Sequence, residues 1–177
     1  IIGIIALVKI GILISCSNKK EKTKAEKNEL TKKKSEQNPF MDLRNMALTA
    51  KAEQIGLENI ADNKVYGLIT EMSMDAGIAS VISFLTGDTS LYLSSGGGFI
   101  GAGQHEKVRK IVAEKIEEFQ IYLSKAEKIQ EPKLPKDGMV NFNFLTKNGI
   151  YSLSENISDL ENGKSEFSKL FEDVNEI

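Results

Sequence analysis

Residues Ser90 to Gln104 read SLYLSSGGGFIGAGQ, and the fold turns on how they are parsed. A strand-forming run, Leu91 to Ser95, enters Gly96, Gly97 and Gly98. Phe99 and Ile100 follow, then Gly101, Ala102 and Gly103, and His105 opens the longest helical pattern in the chain. Five glycines in eight positions allow positive φ and close approach of another group. The spacing of Gly96, Gly98 and Gly101 matches G-x-G-x-x-G in order, after a strand and before a helix. The rest of a dinucleotide site does not follow. An acidic residue should end the next strand about 20 positions on. Glu117 and Glu118 stand at that distance, inside the helical pattern. No Gly-Lys-Ser/Thr ending makes a phosphate loop. The stretch therefore reads as a pivot between strands and the helix that covers them. The candidate site it retains is a ligand- or anion-binding turn at a helix start. Its residues would be Ser94, Ser95, Gly96, Gly97, Gly98, Gly101, Gly103, Gln104 and His105.

Upstream of the pivot, Val65 to Met74 reads VYGLITEMSM, rich in strand formers. Asp75-Ala76-Gly77 makes a turn, and Ile78 to Thr86 reads IASVISFLT. That second run also fits helical spacing through Ile78, Val81, Ile82 and Leu85. Its β-branched content and the Gly87-Asp88 stop favour a strand. The result is a three-stranded antiparallel meander. Glu71, Asp75 and Asp88 are its only acids, and the last two read as turn residues rather than as an acid/base pair.

Downstream, Gln104 to about Lys128 carries an apolar stripe of Val108, Ile111, Val112, Ile116, Phe119, Tyr122, Leu123 and Ala126 at steps of three and four. This predicts a long helix lying across the sheet. Glu131-Pro132-Lys133-Leu134-Pro135 ends it. Met139 to Thr146 alternates, Val140, Phe142 and Phe144 on one face, as a half-buried strand does. Lys147-Asn148-Gly149 is a hairpin turn, and Ile150 to Ser154 returns as a strand. A last amphipathic helix is expected over Ser165 to Asn175. At the other end, Asn38-Pro39 starts a helix that runs to about Gln54 and stops by Gly56. Phe40, Leu43 and Ala47 share its apolar face, while Asp42 and Arg44 read as solvent-facing.

The expected fold is thus α+β and two-layer, in the order α-βββ-α-ββ-α, with an antiparallel sheet of about five strands and helices packed on it. Roadblock- and profilin-like domains have a broadly similar order, an analogy of fold that carries no function. The strings Met41 to Ala47 and Leu91 to His105 resemble a family of small uncharacterised bacterial proteins, which implies no activity.

The first 38 residues differ in kind. Residues 1–15 are apolar except Lys9 and Ser15. They fall short of the roughly 20 needed to span a bilayer and fit the apolar region of a signal peptide. Leu13-Ile14-Ser15-Cys16 then resembles the lipobox of bacterial lipoproteins. The resemblance implies that Cys16 is lipidated and begins the mature chain, facing the periplasm or exterior on a lipid anchor in the membrane. Residues 17–38 hold eight Lys and four Glu, a charged flexible tether. Residues 39–177, the single expected domain, carry a balance of −7.

That charge gives no basic field for nucleic acid. One Cys and one His, far apart, cannot make a zinc site of about four such ligands, and no EF-hand pattern occurs. No cofactor or metal is assigned. No catalytic constellation is read, and the lone His105 is taken as a surface or packing residue. The favoured reading is a lipid-anchored extracytoplasmic protein with a non-enzymatic domain that binds a protein partner or small ligand. The alternative is an anion- or nucleotide-binding protein, or an enzyme, using the Gly96–Gly103 turn. A third reading is a subunit that pairs through a helix face or sheet edge.

Overall fold

In a computed structural model, residues 39–177 are described. The signal-peptide, lipobox and tether expectations, Cys16 included, lie outside the described residues.

Helix α1 spans Phe40–Thr49, and a 3-10 turn at Ala52–Ile55 follows it, closed by Gly56 with a left-handed φ. The meander comes next: β1 (Gly67–Met74), β2 (Gly77–Phe84) and β3 (Thr89–Leu93). A short strand, β4 (Gly98–Ile100), folds back on β3. A 3-10 turn at Ala102–Gln104 leads into α2 (Glu106–Glu118). After α2 the chain tightens into a 3-10 segment, Phe119–Lys125, and then becomes β5 (Glu127–Ile129). The hairpin of β6 (Met139–Thr146) and β7 (Gly149–Asn156) runs into α3 (Ile157–Glu161), and α4 (Ser168–Glu176) ends the order.

The fold is α+β, built on one antiparallel sheet of seven strands in the order β4-β3-β2-β1-β6-β7-β5. The two strands beyond the expected five are β4 and β5. Both are three residues long, too short for alternation to declare itself in sequence. β5 also corrects the expected helix to Lys128. The chain must come back to pair with β7 at Glu127 to Ile129. Gln120 fixes the departure: its carbonyl accepts from the Val65 N–H at 2.8 Å, and its amide donates to the Asn63 carbonyl.

Strand pairing sorts the side chains by face. Leu68 stands opposite Phe144, and Phe142 opposite Leu153, on one face. Val112, Ile116 and Phe119 of the α2 stripe cover that face together with Leu160, Phe167, Leu170 and Phe171, and all are buried. Ile111, counted in the stripe, is instead exposed. On the opposite face Ile69, Ile82 and Leu145 pack against Ala47, Leu48, Ala52 and Tyr66. Helices therefore take both faces, with α2 to α4 on one and α1 on the other. Fully burying each large apolar side chain contributes about 1.5–3 kcal/mol, so both faces stabilise the sheet.

Candidate functional site

The glycine stretch is a turn, a strand and a second turn in succession. Ser94, Ser95, Gly96 and Gly97 form the β3–β4 hairpin turn. Its stem is bonded to the start of β2: the Ile78 N–H donates to Ser94 Oγ at 2.7 Å, and the Ser94 N–H to the Ile78 carbonyl. Ser95, Gly96 and Gly97 face solvent. Gly98 opens β4 with φ +151°, and a Cβ there would sit 2.3 Å from the Leu91 carbonyl oxygen. Only glycine fits that position.

Gly101, Gly103, Gln104 and His105 lie beyond the other end of β4. There the Gly101 N–H approaches Ser90 Oγ, and Gly103 packs against Gly87 and Asp88 of the β2–β3 turn. Gln104 and His105 are exposed. The His105 carbonyl accepts the Arg109 N–H as α2 begins. The expected site residues thus fall into two groups at opposite ends of β4. The glycine hairpin does not converge on the start of α2, and Glu106 places a carboxylate in the first turn of that helix.

What the stretch does build is one wall of a cleft. Leu91, Leu93 and Phe99, with Met72, Met74 and Val81 of β1 and β2, line an open cleft of about 400 Å³. Val174 of α4 and Ile177 just after that helix close it. The lining is apolar apart from Thr89, Ser90 and Asn175. Phe99 and Met74 are more than half exposed at its rim. Pockets of about 300–1,000 Å³ with apolar walls and a few polar groups are the usual form of small-ligand sites.

Beside its apolar contacts, α4 is tied to α2 through Asp173, which is buried. Its Oδ1 accepts from Lys115 Nζ of α2 and from Lys169 Nζ one turn earlier, at 2.5 and 2.8 Å. Burial by itself raises the Asp173 carboxyl. The two lysine hydrogen bonds and the lysine charges outweigh it and hold the group below the ordinary carboxylate range.

A second polar cluster lies under α1 and escaped sequence reading. Arg44, expected in solvent, is 4% exposed, and Glu71 in mid-β1 is fully buried. The guanidinium grips the carboxylate bidentately, Nε to Oε1 at 2.5 Å and Nη2 to Oε2 at 2.8 Å. Ser80 Oγ and Asn143 Nδ2 donate to the same carboxylate, and Nη2 also donates to the Pro132 carbonyl. Both side chains of this pair are buried, and their bonds tie α1 and the 130–135 loop to the sheet. One signal was available in sequence: a lone Glu in the middle of a strand-forming run that must be covered.

Among the described residues no group of three His, Cys, Asp or Glu side chains is placed to hold a metal ion, and no helix is long and apolar enough to cross a membrane. No family model, curated protein or solved structure matches the chain at a significant level.

Proposed function

We propose that this chain is a lipid-anchored extracytoplasmic protein of the bacterial envelope whose folded domain is a non-enzymatic binding module. The anchor reading rests on Leu13-Ile14-Ser15-Cys16 between an apolar run and a charged tether. The binding reading rests on one observation, the apolar cleft between β1–β4 and α4. An apolar group of a small ligand or partner enters it, and removal of its surface from water drives the association.

Titration with the fluorophore 1-anilinonaphthalene-8-sulfonate tests the cleft. The dye should bind the folded protein and brighten, and Met74→Glu and Leu93→Glu should each abolish the enhancement while far-ultraviolet circular dichroism stays unchanged. No enhancement, or enhancement indifferent to both substitutions, would sink the cleft reading. For the anchor, globomycin treatment or Cys16→Ser should leave an unprocessed precursor. Unchanged migration and membrane retention would refute lipidation.

A further inference from the structure

We infer that β4 pairs with β4 of a second copy of this chain, joining two seven-stranded sheets across a two-fold axis at Phe99. The two edges of the sheet are treated differently. At one edge β5 reads Glu127-Lys128-Ile129 with Pro132 close behind, and charge and proline are standard guards against strand addition. At the other edge β4 carries neither. Phe99 and Ile100 are 59% and 66% exposed, one on each face of the sheet. Among the described residues no strand pairs with the outer side of β4.

The hydrogen-bond phase of β4 suits a second β4. The Leu93 N–H donates to the Gly97 carbonyl, which makes Leu93–Gly97 a hydrogen-bonded pair of the β3–β4 ladder. Antiparallel alternation then makes Leu91–Phe99 the next such pair. The N–H and C=O groups of Gly98 and Ile100 consequently point off the edge. An antiparallel copy with Phe99 on the axis sets Gly98 against Ile100 of the second chain, and Ile100 against its Gly98. Each pair exchanges two backbone hydrogen bonds. The two Phe99 side chains meet as a non-hydrogen-bonded pair, the closer of the two kinds, on the cleft face.

Charge selects the occupant. Thr89 to Gln104 contains no Asp, Glu, Lys or Arg, in a chain of which 27% is charged. An unlike partner is commonly recognised by complementary charge. A second copy brings the same charges to the axis and is disfavoured wherever they are present. An uncharged edge removes that repulsion. This pairing does not depend on the anchor, and it shares Phe99 with the rim of the cleft.

Two measurements test it. Light scattering on the protein in detergent, with the detergent mass subtracted, should give twice the mass of one chain as measured under denaturing conditions. Ile100→Pro, which removes an outward N–H, and Ile100→Lys, which restores a guard, should each return it to the mass of one chain. In a Cys16→Ser background, Phe99→Cys should form an interchain disulfide on mild oxidation, since facing residues of such a pair have the Cα separation a disulfide needs. Ile129→Cys on the guarded edge should not. A single-chain mass for the unaltered protein, a dimer indifferent to both Ile100 variants, or a Phe99→Cys protein that stays monomeric would each overturn the pairing. An edge that instead takes an extended peptide from another protein would show the first of these.

Discussion

Glu71 sits with no exposure in the middle strand of a seven-stranded sheet, and neighbouring side chains surround its carboxylate with hydrogen-bond donors. Arg44 supplies the opposite charge in fork geometry, while Ser80 and Asn143 fill the remaining acceptor positions. Asn143 is itself fixed by Ser152, whose Oγ donates to Oδ1 at 2.8 Å. Two buried charges cost much in desolvation, and the bonded pair offsets that cost only when complete. Glu71→Ala should therefore destabilise the domain by about 3–5 kcal/mol, because it strands a buried guanidinium. Replacing both residues, Arg44→Met with Glu71→Leu, should recover most of that loss. Urea midpoints for the single and double variants check both outcomes. A Glu71→Ala protein as stable as the parent would mean that Arg44 escapes to solvent.

At the scale of elements, α2 and α4 are joined by apolar contact and by one small ionic cluster. The α2 stripe was legible in sequence because helical periodicity survives wherever one face is buried. Its length was not. The apolar steps continue through Tyr122 and Ala126, but Tyr122 packs from a 3-10 segment and Ala126 from the extended residue that follows it. Periodicity records which side faces the core and is nearly blind to a change from 3.6 to 3.0 residues per turn. The Asp173 cluster sets the acid sensitivity of the α2–α4 contact. Its carboxyl is held below its ordinary value of 3.8 in the folded protein. Its stabilising contribution is therefore complete above that value and is lost as pH falls through the lower folded value. Between about pH 6 and about pH 3, the parent should lose more stability than Asp173→Asn, which has no such proton to take up. Denaturant midpoints at the two pH values measure the difference, and equal losses would remove Asp173 from the acid response.

For the whole molecule, residues 39–177 form one compact unit, with both apolar clusters inside them. The domain starting at Pro39 should accordingly fold alone and melt at the temperature of the full chain. Thermal unfolding of the two proteins by circular dichroism checks this, and a lower melting point for the shorter one would place part of the stabilising contacts in residues 1–38. Equal melting points would mean that the proposed tether positions the domain without holding it together.

The sequence by itself determined the α+β class, the meander, the Asn148-Gly149 hairpin and the buried stripe of α2. Each of these is written in local periodicity and turn chemistry, which depend on neighbours a few residues away. Tertiary structure alone decided the rest. It turned Gly98–Ile100 into an edge strand, because β3 stood ready to pair with it. It drew Arg44 inward across 27 residues of chain to Glu71. It also parted Ser94–Gly97 from Gly101–His105, since a three-residue strand now runs between them. These outcomes depend on which distant groups share a sheet register or a buried charge, and no local pattern of residues encodes that.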